Sequence, residues 1–262
     1  MIDRDVLAEI IRCADIKKGE RVVEVGPGRG ILTKELLKKG ARVTAVEIDS
    51  RLADILRKEL GGNKNLKIIN QDILDFCHSE RSEESLRDPS SATQDDKYKI
   101  IANLPYQITS PVIRKFLENK ESRPKLMVLM VQREVAERIV ASPGDSRRGF
   151  LSVVVQYYSQ PEIVRIVPKE SFYPIPKVES AILKIKNKKL KIKNNEKNLF
   201  KIVQAGFSQK RKKLRNSLAG GLRIEPKEAD QLLQKAGIDS NLRAEDLEVD
   251  EWKIICRRYA NR

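Results

Sequence analysis

Histidine is almost missing from this chain: His78 is the only one in 262 residues. That scarcity all but excludes a histidine-based zinc site and a Ser-His-Asp triad. Cysteine is scarce too. Cys13, Cys77 and Cys256 lie far apart and show no metal-ligand spacing, so no metal is expected. An odd number of thiols fits a reducing compartment. Aromatic residues make up only 5%, so the core is lean in rings. No apolar run approaches the roughly 20 residues of a membrane span, and no signal-peptide core opens the chain. The expectation is a cytoplasmic protein with no membrane partner. Acidic residues are outnumbered, 37 against 52 Lys and Arg, which leaves a formal charge of +15. Such an excess points to a polyanionic partner, because Lys and Arg that neutralise phosphates drive nucleic-acid affinity.

What is present is ordered as alternating elements. Residues 4–16 carry apolar side chains at helical spacing (Val6, Leu7, Ile10, Ile11, Ala14), and residues 21–25 form a short apolar run stopped by glycines. A helix over 30–39, a strand over 41–46, a helix to about Leu60 and a strand over 66–69 follow. Further strands are expected at 98–102 and 125–131, the second leading into a helical pattern that ends at Val140. Residues 149–159 fit helix or strand. Residues 163–167 and 181–185 read as late strands, an antiparallel pair at the sheet edge, and 226–236 and 245–260 read as helices. This alternation predicts an α/β, Rossmann-like, doubly wound sheet with a small all-helical C-terminal domain. The boundary is expected near residue 188, dividing 1–187 from 188–262.

Two segments differ in composition. Residues 77–96 hold eight charged residues, five serines and almost nothing to bury, and read as an inserted surface loop. Residues 184–215 hold 13 Lys or Arg against one acid, Glu196, and that local excess of 12 is most of the chain's +15.

Four pieces carry chemistry. Gly26, Gly28 and Gly30 follow a strand and precede a helix, where glycines permit a tight turn and close approach of a ligand to the backbone. Glu47 ends the next strand, 21 residues after Gly26, and a carboxylate there can accept both hydroxyls of an adenosine ribose. The spacing is G-x-G-x-G, with Ile31 where a dinucleotide site would carry its third glycine, which favours a ligand without phosphates. Gln71-Asp72-Ile73 follows a third strand. Asp72 can accept from an adenine amine or cap a helix, and the two readings balance. Asn103-Leu104-Pro105-Tyr106 ends a fourth strand and is the most specific signal. The exocyclic amine of adenine is a poor nucleophile, since its lone pair is delocalised into the ring. The Asn103 side-chain oxygen and the Leu104 carbonyl can each accept one N–H and turn that lone pair, while Tyr106 offers a ring for stacking. A stacked base must leave its stack to reach such a pocket. Alone the tetrapeptide would be an ordinary strand-to-turn segment; after the glycines and Glu47, in that order, it is a site.

With these motifs the chain resembles the ribosomal RNA adenine dimethyltransferases, over nearly its whole length and most closely the small-subunit branch. The resemblance rests on Val23–Thr33, Glu47–Asp49, Asn103–Tyr106 and Val131–Arg138, and continues through Gly149–Val153, Phe172–Ser180 and Phe207–Asn216. It implies S-adenosylmethionine as cofactor, contacted by Gly26, Gly28, Glu47, Ile48, Asp72, Ile73 and Asn103. It implies target-base handling by Asn103, Leu104, Tyr106 and Phe172, with Phe172 sandwiching the flipped base opposite Tyr106. The implied substrate is two neighbouring adenosines in a hairpin near the 3′ end of small-subunit rRNA, within a pre-30S particle, and the enzyme is expected to act as a monomer. Lys210, Arg211, Lys212, Lys213 and Arg215 are the expected RNA-docking residues. Two rivals share features: the large-subunit rRNA methyltransferase of macrolide resistance, and an inactive rRNA-binding assembly factor. The family also carries a Gln-Asn-Phe-Leu segment before Ile2-Asp3, where Met1 here stands in the place of Leu. Weak cofactor binding and slow turnover are expected on that ground.

Overall fold

The computed structural model describes residues 3–79, 98–119, 122–188 and 196–260. Residues 80–96 of the expected surface loop and residues 189–195 of the basic segment lie outside these, as do Met1 and Ile2. The chain separates into two compact units: Met1–Ala136 with Gln160–Lys188, and Glu137–Ser159 with Lys189–Arg262. Residues Glu137–Ser159 thus group with the helical unit, although they precede residue 188. Among the described residues no helix is long and apolar enough to cross a membrane.

The first unit is built on one seven-stranded sheet. Its strands are β1 (Arg21–Val25), β2 (Arg42–Glu47), β3 (Leu66–Asn70), β4 (Lys99–Asn103), β5 (Leu126–Gln132), β6 (Ser159–Val167) and β7 (Ser180–Asn187), in the order β3-β2-β1-β4-β5-β7-β6. The first five run parallel, and β7 joins β5 antiparallel. β6 is the edge strand beside β7 and begins at Ser159, earlier than the expected residue 163. The central strands are buried on both faces, as their unbroken apolar runs require: all of Leu126–Val131 is covered. Helices α1 (Arg4–Ala14), α2 (Ile31–Lys38) and α3 (Ser50–Leu60) contribute Val6, Ile10, Leu36 and Leu56 to a core shared with Val43, Ile101 and Val128. Helix α4 (Ile73–Ser79) takes in the first three residues of the expected loop. Helix α5 (Thr109–Glu118), to which the sequence assigned no element, follows a 3₁₀ turn at Tyr106–Ile108. Its Pro111 lies in the first turn, where a missing N–H costs nothing.

One buried cation fastens this unit. Lys99 opens β4 and is 5% exposed. Its ammonium donates to the Ala14 and Asp15 carbonyls at 2.7 Å each and to Glu20 at 2.8 Å. All three N–H bonds are used, and the end of α1 receives the positive charge its unpaired carbonyls favour. Glu20 also pairs with Lys125.

The second unit is helical. It takes the second half of α6 (Arg133–Val140), which starts in the first unit, and then α7 (Phe150–Tyr158), α8 (Glu196–Gly206), α9 (Leu214–Leu222), α10 (Pro226–Ala236) and α11 (Val249–Ala260). The ambiguous stretch 149–159 resolves as helix because its N-terminus is satisfied locally: Ser152 Oγ accepts the Gly149 N–H at 2.9 Å and donates to the Arg138 carbonyl at 2.5 Å. Arg148 is fully buried, yet its guanidinium reaches the Ala141 carbonyl and Gln156 Oε1 at 2.7 Å. Trp252, Leu218, Leu233 and Ile202 centre the core.

The Lys99 arrangement sets a test. Removing one partner from a buried, hydrogen-bonded ion pair costs about 3–5 kcal/mol. Lys99→Ala is expected to lose about 3 kcal/mol in urea denaturation, because it strands two carbonyls and leaves Glu20 with Lys125 as its only cation among the described residues. A loss below about 1 kcal/mol would show that water replaces the ammonium there.

Candidate functional site

Strand register places the sequence motifs along one edge of the sheet. Val25 pairs with Val46 and with Ala102, so the loop after β1 lies between the end of β2 and the end of β4. Glu47 pairs with Asn70 on one side, and Asn103 with Met130 on the other. The strand order reverses direction between β1 and β4, which is where open α/β sheets form a crevice for ligands at the carboxyl ends of their strands.

The glycine loop is shaped by hydrogen bonds to its neighbours. Gly26 N–H donates to the Val46 carbonyl at 2.9 Å. Gly28 has φ +55°, a left-handed conformation that suits glycine, and its N–H donates to Glu47 Oε2 at 3.0 Å. Glu47 Oε1 accepts the Asp49 N–H at 3.1 Å. The Glu47 carboxylate, 5% exposed, therefore ties β2 to the loop with one oxygen and turns the chain into α3 with the other. Gly30 combines φ +72° with close packing: a Cβ there would lie 2.5 Å from Leu56 Cδ1.

Two residues that the sequence did not single out complete this edge. Asn70 Nδ2 donates to the Glu47 carbonyl at 2.8 Å and the Ile48 carbonyl at 3.1 Å, clamping the backbone that presents both side chains. Ile48 leaves that clamp 68% exposed, an uncovered apolar face next to a buried carboxylate. Glu24 is the other. It is 1% exposed, and among the described residues its Oε2 has no hydrogen-bond partner. Burial pushes its carboxyl up to about 8, against the lowering effect of Thr33 and with a further push from Glu47. The only sequence signal for either is a polar residue near the end of an apolar strand.

Asp72 Oδ1 accepts the Leu74 N–H at 2.8 Å, so this carboxylate caps α4; no described residue hydrogen-bonds its Oδ2. Ile73 is buried at 4% exposure. The Asn103 carboxamide is half-buried, and none of the described residues hydrogen-bonds it. Leu104 is buried, and its N–H donates to the Met130 carbonyl at 3.2 Å. Tyr106 is half-buried, with its hydroxyl 3.1 Å from Ser180 Oγ. Phe172 is half-buried and packs against the first unit's core. The expected RNA-docking residues lie in the second unit, at the turn into α9. Lys213 donates to Asn241 Oδ1 at 2.9 Å, Lys210 reaches the Ser146 carbonyl, and Arg215 stands 4.0 Å from Asp230. Arg211 and Lys212 are exposed and have no ion-pair partner among the described residues.

Comparisons with known proteins bear on this arrangement. A model of the ribosomal RNA adenine dimethylase family matches residues 1–261. The ribosomal RNA small subunit methyltransferase A of Dehalococcoides mccartyi is 45% identical over 262 residues, covering 99% of this chain and 86% of the relative. That of Alkaliphilus oremlandii is 37% identical over 266 residues, covering 100% and 90%. Among solved structures, a dimethyladenosine transferase from Plasmodium falciparum aligns with a TM-score of 0.80 at 26% identity, covering 100% of this chain and 97% of that one. The 23S rRNA methyltransferase ErmE aligns with a TM-score of 0.70 at 26% identity, covering 98% and 97%.

Glu24 yields a pH signature. The folded protein holds a proton at Glu24 up to about pH 8, while the unfolded chain releases it above the usual 4.5. The resulting stability is whole below pH 4.5 and is lost as pH rises toward 8, at up to about 1.4 kcal/mol per pH unit. Glu24→Gln, which stays neutral, is expected to remove that slope and to be the more stable protein near pH 8. Parallel stability curves for the two proteins between pH 5 and 8 would show that Glu24 is ionised in the fold.

Proposed function

The chain belongs to the ribosomal RNA adenine dimethylase family, and from that premise we propose that it transfers methyl groups from S-adenosylmethionine to N6 of two adjacent adenosines in a hairpin near the 3′ end of small-subunit rRNA, giving N6,N6-dimethyladenosine. The observation that carries this reading is the register that sets the unengaged Asn103 carboxamide beside the glycine loop and Glu47. Relatives of 37–45% identity named for small-subunit methylation support that target. The large-subunit reading has the lower structural similarity, 0.70 against 0.80, at equal identity. The intact Asn103–Tyr106 segment argues against an inactive assembly factor. A pre-30S particle as substrate, action as a monomer, and a division of labour between residues 1–187 and a basic RNA-docking region 188–262 belong to the same proposal.

The residues present fit an adenosyl cofactor. Glu47 offers a buried carboxylate for ribose hydroxyls, Ile48 an exposed apolar face for adenine, and Asp72 an oxygen left over from its capping bond for the adenine amine. Gly26, Gly28 and Ile73 would border the ligand, with Asn103 at its methionine end. Bound there, S-adenosylmethionine supplies a methyl group on a sulfonium whose departure leaves a neutral thioether.

The chain's own residues orient the other reactant. Asn103 Oδ1 and the Leu104 carbonyl accept the two N–H bonds of the amine and turn its lone pair toward the methyl group. Held in this way, the amine nitrogen would take the methyl carbon as the thioether leaves, and would lose one proton. No strong base is needed, because the methylated amine is acidic. Positioning of this kind is worth roughly 7–11 kcal/mol. Tyr106 and Phe172 would stack on the flipped base, at about 1–3 kcal/mol per base. In the second round one N–H remains, so one acceptor suffices.

Asn103 and Glu47 separate the two halves of the site. Asn103→Ala is expected to slow single-turnover transfer by about 10²–10³-fold while leaving cofactor affinity within about tenfold. Glu47→Ala should instead weaken cofactor binding about 10–100-fold by calorimetry, since hydrogen bonds to a charged group are lost. With the unsubstituted protein, primer extension is expected to stop at the two small-subunit adenosines. Stops in large-subunit rRNA would move the reading there, and RNA binding without stops would make the chain an assembly factor.

The basic segment has its own signature. RNA affinity is expected to fall steeply with salt, with a log-log slope that becomes shallower by about 0.7–0.9 for each contacting charge removed. Changing Lys210, Arg211, Lys212 and Lys213 together to Gln tests this by filter binding across a salt series. An unaltered slope would show that those charges merely solvate the surface.

A further inference from the structure

Residues 172–178 link the 3₁₀ turn at Lys169–Ser171 to β7. Three large apolar side chains of this loop are exposed: Tyr173 at 82%, Ile175 at 61% and Val178 at 44%. A single exposed apolar residue is ordinary on a protein surface. Three within seven consecutive residues are more than isolated exposures, and grouped exposed apolar side chains mark a contact surface.

The patch is held stiffly. At one end the Ser171 carbonyl accepts the Asp3 N–H at 3.3 Å, and the half-buried Phe172 anchors its ring in the core. At the other end the Glu179 carbonyl accepts the Arg133 N–H at 3.0 Å, and its carboxylate pairs with the Arg133 guanidinium at 2.7 Å. Ser180 is fully buried with its Oγ 3.1 Å from the Tyr106 hydroxyl, so the loop's end is fastened to the segment that would hold the target amine. Between these anchors Pro174 and Pro176 fix their own φ angles, so little chain entropy remains to be lost on contact. Exposed charges along this loop include Lys169, Glu170 and Lys177, with Asp3 against Ser171 at one anchor and the Arg133–Glu179 pair at the other.

We infer that Tyr173, Ile175 and Val178 form an apolar wedge that enters the RNA base stack beside the target adenosine and keeps it open while that base occupies the Asn103 pocket. The inference rests on the function proposed above and adds the device that pays the cost of extrusion. Unstacking a base is unfavourable, and apolar side chains inserted at a base step offset the loss. The rigid tether to Tyr106 fixes the distance between wedge and pocket, so the opened step is always the one adjoining the methylated base. A surface for lipid or for another protein would need no such tether.

The test uses the full-length protein, with S-adenosylmethionine, and a small-subunit hairpin RNA carrying 2-aminopurine next to the target adenosine. At saturating protein, wild type is expected to raise the 2-aminopurine fluorescence severalfold. The variant Tyr173→Ala with Ile175→Ser should lose most of that rise, lose at least tenfold in kcat/KM on the hairpin, and lose less than threefold on an unstructured oligonucleotide containing the same adenosines. Its cofactor affinity and the salt slope of RNA binding should match wild type, since no charge or cofactor contact has changed. Tyr173→Phe should restore the fluorescence rise, because the ring and not the hydroxyl enters the stack. Unchanged fluorescence in the variant, or equal losses on hairpin and oligonucleotide, would overturn the wedge. Wild type that methylates neither RNA would instead overturn the proposed function, which keeps the two failures apart.

Discussion

The carboxylate of Glu47 is the joint on which this edge of the sheet depends. One oxygen receives the Gly28 N–H from the neighbouring loop, and the other receives the Asp49 N–H at the turn into α3. Asn70 braces the same residue from behind by holding the Glu47 and Ile48 carbonyls. Three consecutive strand ends are therefore fixed to one another by polar contacts rather than by packing. The loop's left-handed shape is held by hydrogen bonds from within the protein, which lowers the cost of ordering it around a ligand. The fourth strand end, at Asn103, is set by register, and none of the described residues hydrogen-bonds its carboxamide.

That polar edge sits above an apolar sheet, and the two impose opposite demands. The strands must be apolar on both faces to be covered by helices, while their last residues must present carboxylates and amides. Glu24 lies at the meeting of these demands. It stands one residue before the end of β1, too deep for water, and holds its proton instead of an ion partner. Lys99 meets the same conflict at the opposite end of β4 and resolves it with three acceptors.

How much of this the sequence disclosed depends on how far apart the partners are. The glycine spacing, Glu47 and the Asn103–Tyr106 segment were legible because their chemistry is written in short runs. Lys99 was not, since its acceptors lie 79 to 85 residues away and are chosen by strand order. Asn70 and Glu24 read as ordinary strand residues until register put the Glu47–Ile48 backbone beside one and a sealed core around the other. The run over 149–159 could not be resolved by periodicity, because it is apolar on every side. Its helix depends on Ser152 closing the N-terminus and on the buried Arg148 and Gln156 filling the polar groups nearby. Asp72 had two readings, and its bond to Leu74 shows the capping one while leaving an oxygen for the other.

The Lys99 ammonium also has a bearing on how the chain is made. Helix α1 is made well before β4, yet two carbonyls at its end wait for a side chain encoded 85 and 84 residues later. Strand β4 must join the open edge of β1 for that bond to close, and β5 follows on its other side. Contacts of such long sequence separation form slowly, because loop closure precedes any reward from pairing. During synthesis the first three strands and their helices thus exist as an unfinished layer whose β1 edge is open. Nascent-chain quality control would meet this protein chiefly in that interval, before β4 has emerged.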